Sequence, residues 1–523
     1  MSSHDSYKAS KEAFVSGMTG SSVLHINVVS SVALASIALH SCLRSRLPPT
    51  RTLQFPVEWL LLVAPLLLSM TLFANSPGLL VLVFLFPIAL LLLFPARELG
   101  TPLPSNADIS PRGSPVPSRR STSEHIETPA VSSLPALSTY RAHMMLMTIL
   151  AILAVDFPVF PRSLVKCETW GVSLMDIGVG SFVFSQGIVS AIPLLKDPLY
   201  LKSPLIPKIT LTVRKCFPIL LLGVVRVLLV KGTEYPEHVT EYGVHWNFFL
   251  TLAFVPVLQA SLHPLMASMP ISLIGVLLAV AQQLLLSNGL ADYVLTAPRT
   301  SFISSNKEGI VSLPGYLAIH LLGLSTGTLI LPPSPSFFRR RQQALSRRSA
   351  PSHPRTTHRE NDKTATELFS YAFIWWVLLG ACTLLGIGGE GVSRRLVNFP
   401  YIVWVAAYNS SFILGYLILD LFFFPSPLSK SVYSPTSKLK VHADLSHMVS
   451  QQQEPHSAPA LLEAINRNGL AIFLLANVVT GFVNMSMSTM YASDVTAMSV
   501  LSLYAGAVCL LAWTVRGRRL WKL

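Results

Sequence analysis

Charged residues are scarce in this chain: Asp, Glu, Lys and Arg make up 12% of its 523 residues. A soluble globular protein carries about 25%, so the composition excludes that class. The apolar residues, 51% of the chain, are grouped in blocks. These blocks are about 18 to 22 residues long, enough to cross a hydrocarbon core of about 30 Å. Because ten-residue alternating strands are absent and long apolar runs satisfy their own backbone hydrogen bonds only as helices, the sequence predicts an all-α polytopic integral membrane protein.

Cysteine is also scarce, and the sequences that hold common cofactors are missing. The five Cys residues form no metal-type pair, so neither a disulfide framework nor a metal site is predicted. No zinc spacing, Walker loop or nucleotide-binding glycine fingerprint occurs, and we therefore expect no bound cofactor. The net charge of +14 would suggest nucleic acid in a soluble protein. In this chain it is better explained by membrane topology, and no nucleic-acid partner is expected.

Thirteen membrane-spanning helices are predicted, over the apolar runs 23–43, 57–74, 78–96, 142–157, 172–195, 216–231, 244–263, 267–288, 315–333, 369–388, 400–424, 470–490 and 496–515. Alternate connections then lie on opposite sides of the membrane. One side holds 29 of the 39 Lys and Arg, and by the positive-inside rule it is cytosolic. The N-terminus faces the lumen and the C-terminus the cytosol. The lumenal side also takes the connections 156–171, 231–243, 288–314 and 390–399.

The predicted organisation alternates membrane segments with polar loops. Loops rich in Ser, Pro, Arg and Gln are expected to be disordered. The first apolar run is a full span and should remain as an anchor. The segments are a lumenal segment 1–22, three spans in 23–96, a disordered cytosolic loop 97–141, a membrane core with lumenal site loops 142–333, a basic disordered loop 334–368, two spans in 369–424, a polar cytosolic loop 425–469, two spans in 470–515 and a basic cytosolic tail 516–523.

The stretch from 156 to 187 concentrates ionisable residues between two spans, which makes it a candidate functional site. Asp156 ends the fourth span, and Pro158 and Pro161 hold the chain after it in an extended turn. A shielded carboxylate there would act as a general base towards a hydroxyl; the alternative is a span-end cap. Lys166 would pair with Asp156 or hold a phosphate or an oxyanion; the alternative is a contact with lipid phosphate.

Other polar groups lie inside apolar runs. Asp176 needs a partner if it is buried, and Arg226 is the obvious intramembrane candidate. Asn477 and Asn484 are seven residues apart and share a helix face. Such groups either form a site or make hydrogen bonds between helices, and the second reading is the simpler one. His320 is a further candidate for a catalytic base.

Six long motifs follow one another along the membrane portion of the chain. They are KEAFVSGMTGSS (11–22), the stretch DFPVFPRSLVKCETWGVSLMDIGVGSFVFSQGIVS, EYGVHWNFFLTLAFVP, NKEGIVSLPGYLAIHLLG, SRRLVNFPYIVWVAAYN and NRNGLAIFLLANVVTGFVNMSM. In this order they resemble the inositol acyltransferases of GPI-anchor biosynthesis, the fungal GPI-anchored wall transfer proteins and the animal PIG-W proteins. The resemblance covers essentially all of the membrane portion and leaves out the polar cytosolic loops.

The resemblance implies a multi-pass protein of the endoplasmic reticulum membrane. It implies transfer of a fatty acyl group, usually palmitoyl, from acyl-CoA as co-substrate to the inositol of glucosaminyl-phosphatidylinositol. By the same resemblance, Asp156 and Lys166 match the catalytic Asp and Lys of the family. Membrane lipid is a further expected partner. The candidate substrate-binding residues are Arg162, Glu168, Trp170, Asp176, His245, Asn247, Lys307, Arg394, Arg395 and Asn477.

Two other functions are compatible with the same residues. A transporter or flippase for a lipid intermediate or acyl donor would use the intramembrane charges as a relay. A non-catalytic scaffold of the pathway would need neither Asp156 nor Lys166. The acyl transferase reading predicts an acylated product, whereas the transporter reading predicts gradient-dependent activity without one.

Overall fold

The computed structural model of this chain describes residues 10–46, 53–95, 131, 134–197, 199–232, 239–346, 359–424 and 457–520. These residues are helical and contain no extended strand, only an isolated bridge from residues 20 and 21 to Val172. The all-α prediction is therefore confirmed. In chain order the α-helices are α1 Val23–Arg44, α2 Phe55–Leu62, α3 Ala64–Met70, α4 Pro77–Leu92, α5 Pro135–Ala154, α6 Leu174–Lys196, α7 Leu205–Gly232, α8 Val239–Tyr242, α9 Phe248–Ser261, α10 His263–Ser268, α11 Ile271–Leu285, α12 Ala291–Thr296, α13 Phe302–Ser305, α14 Lys307–Ile330, α15 Phe337–Ser346, α16 Asn361–Leu384, α17 Phe399–Phe423, α18 Ala460–Arg467, α19 Gly469–Ser486 and α20 Asp494–Thr514.

Within the described residues, nine helices are long and apolar enough to cross a membrane. They are α1, α5, α6, the continuous stretch Ile271–Thr296, α14, α16, α17, α19 and α20. Every predicted span overlaps one of the helices above. However, Phe55–Met70, Pro77–Leu92 and Phe248–Ser261 are shorter apolar helices, and the longer α7 is not among the nine. The multi-pass membrane character is confirmed, but the number thirteen is not.

Three loops that the sequence predicts on the cytosolic side contain helix near their ends. Helix α5 begins at Pro135 rather than at 142, because a proline in the first turn of a helix costs no hydrogen bond. Helix α15 and the start of α16 lie in the predicted loop 334–368. Helix α18 lies in the predicted loop 425–469, and its apolar face, including Leu461 and Ile465, is buried. The middle of each loop lies outside the described residues.

Hydrogen bonds between loops that are distant in sequence show which of them lie at the same end of the helix bundle. On the predicted lumenal side, Glu168 N donates to Met18 O at 2.9 Å, and Gly171 N donates to Val392 O at 2.8 Å. On the predicted cytosolic side, Arg44 donates to the Ser457 carbonyl at 3.3 Å. Residues 10–22, 156–173, 239–247 and 390–398 therefore meet at one end of the bundle.

Helices α6 and α14 cross with their backbones in contact, which fixes the start of α6 at that end of the bundle. A Cβ built on Gly323 would lie 2.1 Å from Phe184 O, and one on Gly187 would lie 2.1 Å from His320 O. On Gly327 it would lie 2.4 Å from Ile188 O. Small residues allow this close approach of helices in a membrane.

Replacing Gly323 by Ala is therefore expected to push the two helices apart. Overpacking of a fixed core typically costs about 1–3 kcal/mol, and we expect a loss of that size in the free energy of unfolding. Thermal unfolding of the detergent-solubilised protein measures the effect. Gly506→Ala is the matched control, because a Cβ on Gly506 would have no heavy atom within 4 Å. Equal melting temperatures for the two variants would contradict this account of the helix crossing.

Candidate functional site

A cavity of about 1530 Å³ opens beside the loops that meet at this end of the bundle. A pocket for a drug-sized ligand spans about 300–1,000 Å³, so this one can hold a lipid-sized molecule. Its apolar lining comes mainly from α5, α6, α7, α9, α17 and α19. Its charged lining comes from residues in and next to the loops, apart from Arg226 within α7. The charged side chains are Lys11, Asp156, Lys166, Glu168, Arg226, Glu241 and Arg394.

The turn that presents Asp156 is held rigidly. Phe157 and Phe160 are completely buried, which anchors both sides of the turn. The Arg162 guanidinium donates to the carbonyl oxygens of Val155 at 3.0 Å, Phe157 at 2.9 Å and Phe160 at 2.7 Å. Burial lowers the pKa of Arg162 to about 10. Arg162 does not line the cavity, so its observed contacts position the Asp156 turn.

Asp156 is itself buried, at 4% exposure, and both of its oxygens are engaged. Lys11 Nζ lies 3.2 Å from Oδ1, and Asn484 Nδ2 donates to Oδ2 at 2.8 Å. Lys11 also donates to Asn484 Oδ1 at 2.8 Å, which closes a triangle of three side chains. The three residues come from the N-terminal segment, the end of α5 and the end of α19. Two side chains that are distant in sequence therefore fix the Asp156 carboxylate in position.

Lys166 lies in the same cavity but belongs to a second charged group. Its Nζ donates to Glu241 Oε2 at 2.8 Å, and Glu241 Oε1 accepts from Arg394 at 3.3 Å. Arg394 Nε in turn donates to Asp176 Oδ1 at 2.6 Å. The chain of charges thus runs Lys166, Glu241, Arg394, Asp176. Although burial alone would lower the pKa of Arg394, Glu241 and Asp176 raise it above its ordinary value.

Two pairings suggested by the sequence differ from those in the structure. Asp156 pairs with Lys11 and Lys166 with Glu241, so the two do not form an ion pair with each other. Asp176 does not pair with Arg226. It lies in the first turn of α6, where Ser173 caps the helix and Cys167 N donates to Asp176 Oδ2 at 3.0 Å. Its cationic partner is Arg394, which arrives from the loop before α17.

Three more of the predicted substrate-binding residues line the cavity. Glu168 is exposed there. Asn247 is buried, caps α9 and donates to Gly223 O at 2.8 Å. Asn477 lines the cavity on the same face of α19 as Asn484, as its spacing predicts, and donates to Phe473 O at 2.7 Å.

The remaining predicted substrate-binding residues lie outside the cavity lining. Trp170 packs against Leu286 and its neighbours in a separate apolar cluster. The His245 ring stacks on Phe302. Lys307 is buried and donates to backbone carbonyls, including Tyr293 O at 3.3 Å.

Arg395 and the alternative base His320 are outside it as well. Arg395 donates to Glu308 Oε1 at 3.2 Å, and Glu308 also binds Arg299 through both oxygens, at 3.0 and 2.6 Å. His320 is completely buried within α14 and does not line the cavity. A base must reach the proton that it removes, so this position disfavours His320.

The sequence analysis did not single out two residues of the site, Lys11 and Glu241. It named Asn484 only as a polar group that forms either a site or an interhelical hydrogen bond. A signal was available for the first two, because Lys11 opens the motif at 11–22 and Glu241 begins EYGVHWN. Their partners could not be read from the sequence, since Lys11 and Asn484 are separated by 473 positions.

The arrangement supports proton transfer and oxyanion binding better than nucleophilic catalysis. Cys167 lines the cavity, but burial and the adjacent Asp176 raise the pKa of its thiol, and the nucleophilic form is the thiolate. Among the described residues no group of His, Cys, Asp and Glu side chains is arranged to hold a metal ion. A shielded carboxylate and a half-buried ammonium in one lipid-sized cavity are the chemically competent groups.

Comparison with known proteins gives consistent matches along the whole chain. The GWT1 family model matches residues 7–515. A GPI-anchored wall transfer protein 1 from Cryptococcus neoformans var. grubii is 38% identical over 627 residues, covering 98% of this chain and 99% of that protein. Proteins with the same name from Gibberella zeae and Aspergillus fumigatus are each 39% identical over 516 residues, covering 96% of both chains.

Proposed function

Because this chain belongs to the GWT1 family, we propose that it is a membrane-bound acyltransferase of GPI-anchor biosynthesis. It moves a fatty acyl group, palmitoyl in the first instance, from acyl-CoA to an inositol hydroxyl of glucosaminyl-phosphatidylinositol. The proposed location is the endoplasmic reticulum membrane, with the N-terminus lumenal and the C-terminus cytosolic. The observation that carries the proposal is the shielded Asp156 carboxylate on the wall of a lipid-sized cavity that it shares with Lys166.

The cavity suits an amphiphilic substrate. Its apolar walls extend between transmembrane helices and include Met147, Phe182 and Phe473, which are suitable contacts for acyl chains. Its charged wall lies at the ends of those helices, where a sugar or inositol head group meets water. A lipid bound in this orientation would bring its head-group hydroxyls towards Asp156 while its chains stay among apolar side chains.

In the proposed reaction Asp156 takes the proton of an inositol hydroxyl as that oxygen attacks the thioester carbonyl carbon. The new ester C–O bond forms, the C–S bond breaks, and the thiolate of CoA leaves. The proton that Asp156 took is then released and protonates the thiolate, which restores the carboxylate. No covalent acyl-enzyme is required, which agrees with the raised pKa of Cys167. Lys11 and Asn484 hold the carboxylate in place before substrate binds.

Lys166 is proposed to stabilise the oxyanion that develops on the thioester carbonyl. Its side chain is 35% exposed and is held by Glu241, so the ammonium is positioned on the cavity wall yet accessible. A fixed cation near developing negative charge lowers the barrier of acyl transfer. Glu241 and Arg394 then act as positioning residues, because Glu241 binds the Lys166 ammonium and Arg394 holds the Glu241 carboxylate.

The proposal is tested with purified protein, radiolabelled glucosaminyl-phosphatidylinositol and palmitoyl-CoA. We expect an acylated, phospholipase-resistant product from the wild type. Lys166→Met is expected to lower kcat by about 10²- to 10³-fold, the usual effect of removing one oxyanion-stabilising group. Lys363→Met is the control, because Lys363 is 63% exposed and forms a surface ion pair with its helical neighbour Glu360. No product from wild type would favour the transporter reading, and a fully active Lys166→Met would remove Lys166 from the mechanism.

A further inference from the structure

One cation of the cavity has no place in the reaction described above. Arg226 lies in the apolar run LLGVVRVLLV of α7, and its side chain is exposed and lines the cavity. An arginine in an apolar segment of a membrane protein is costly unless it meets a partner or water, and such residues commonly mark a substrate pathway. The contact recorded for its guanidinium is the face of the Phe249 ring, 6.0 Å from the ring centre.

The orientation of Arg226 is fixed by the packing of α7. Asn247, which caps α9, donates to Gly223 O at 2.8 Å and so joins the two helices one turn away from Arg226. Leu222 and Val225 line the same cavity as Arg226. These positions, spaced by three and four residues, share one face of a helix. The arginine is therefore the polar member of an apolar stripe that faces the cavity.

Arg226 also differs from the other cavity cations in its ion pairing. Lys11, Lys166 and Arg394 each hold a carboxylate. No carboxylate of the described part of the chain, including the cavity-lining Glu168, lies within the ion-pair distance of 4.0 Å from Arg226. The positive charge of Arg226 on the cavity wall is therefore not paired with any carboxylate of the described residues. A bound ligand is the natural source of that anion.

We propose that Arg226 binds a phosphate group of a substrate inside the cavity. A guanidinium is suited to this because its planar fork donates two parallel hydrogen bonds to phosphate oxygens. The inference rests on the proposed function, which supplies two substrates with this chemistry. One is the phosphodiester of the inositol phospholipid, and the other is the diphosphate of acyl-CoA. Leu222 and Val225 beside the guanidinium would contact the apolar portion of the same molecule.

Steady-state kinetics with both substrates varied tests the site and identifies the phosphate. A hydrogen bond to a charged group is worth about 1.5–3 kcal/mol, so we expect Arg226→Gln to raise one KM by about 10- to 100-fold with little change in kcat. Arg226→Lys should recover part of the loss. A higher KM for the lipid assigns the phosphodiester, and a higher KM for acyl-CoA assigns the diphosphate. Both KM values unchanged in Arg226→Gln would overturn the proposal.

Arg214→Gln provides the matched control. Arg214 is an exposed arginine on the same helix, three turns away, and it does not line the cavity. We expect both KM values of this variant to equal those of the wild type. If Arg214→Gln produced the same increase as Arg226→Gln, the effect would be one of general surface charge, and the proposed site would be wrong.

A binding measurement separates this inference from the acyltransferase proposal. Melting temperatures of wild type and Arg226→Gln are compared in detergent with added phosphatidylinositol and, separately, with CoA. We expect one of the two ligands to stabilise the wild type and to stabilise Arg226→Gln less. If this difference in stabilisation is found but the wild type forms no acylated product, the phosphate site is supported and the enzyme function is rejected. Equal stabilisation of the two proteins by both ligands would overturn the site.

Discussion

Replacing Asp156 by Asn is expected to reduce kcat by about 10²- to 10⁴-fold, the range contributed by a general base, while the protein stays folded. Asn keeps the size of the side chain and one oxygen that accepts a hydrogen bond from Lys11 or Asn484. It cannot accept the proton of an inositol hydroxyl. The loss should therefore appear in kcat, with the KM for acyl-CoA changed little, because the carboxylate does not touch the coenzyme in the proposed reaction.

The measurement is the rate of palmitoyl transfer by protein that elutes as one symmetric peak and melts cooperatively. Asp197→Asn is the control, because Asp197 follows α6 at the other end of the helix and accepts a hydrogen bond from Leu199 N at 2.9 Å in an exposed turn. The control should retain wild-type kcat. An Asp156→Asn variant that is folded and turns over at near the wild-type rate would exclude Asp156 as the base, and a scaffold role for the protein would then gain support.

The helices of this chain could be predicted from sequence because the signal is local. Each apolar run carries its own length and hydropathy, so every predicted span overlaps a helix. The number of full crossings could not be predicted, since it depends on where helices break. The predicted second span is two helices, α2 and α3, that part at Val63. Pro65 in the first turn of α3 is a local reason for that break, because a proline begins a helix more readily than it continues one.

The polar loop before α19 illustrates a signal that was present and overlooked. Leu461, Leu462 and Ile465 have the spacing of one helix face, and the structure buries all three. Glu58 Oε2 accepts a hydrogen bond from Leu461 N at 2.7 Å and completes the start of this helix. Composition alone placed the segment at the end of a polar cytosolic loop. A reading by periodicity would have found the helix, although not its partner Glu58.

The pairing of charges could not be predicted, because it depends on how distant helices pack. Asp176 and Arg394 are 218 positions apart, and Asp156 and Asn484 are 328 positions apart. Within α6 and α7 the sequence offers Arg226 as a partner for Asp176, and nothing local favours Arg394 over it. The sequence motifs are a better guide to the residues of the site than local charge is. The motif at 11–22 supplies Lys11, and the motif SRRLVNFPY supplies Arg394.

The largest expected effect on stability comes from Arg394→Gln. Arg394 is 5% exposed and is the shared partner of Asp176 and Glu241. Removing one member of a buried ion pair leaves an uncompensated charge and typically costs about 3–5 kcal/mol. Asp176 also accepts from Cys167 N and Ser173 Oγ, so loss of its cation would disturb the start of α6. We expect a large fall in melting temperature and in the yield of folded protein.

A second substitution tests whether the cost of Arg394→Gln arises from charge. Arg394→Gln leaves the carboxylates of Asp176 and Glu241 without this cation. In the double variant Asp176→Asn with Arg394→Gln, the first of the two is replaced by a neutral amide. The melting temperature should therefore rise above that of Arg394→Gln alone. Arg467→Gln is the surface control, since Arg467 and Glu463 are 35% and 43% exposed and such pairs contribute about 0–1 kcal/mol. A single variant as stable as Arg467→Gln would mean that the carboxylates at 176 and 241 are compensated without Arg394. A double variant no more stable than the single one would assign the loss to packing.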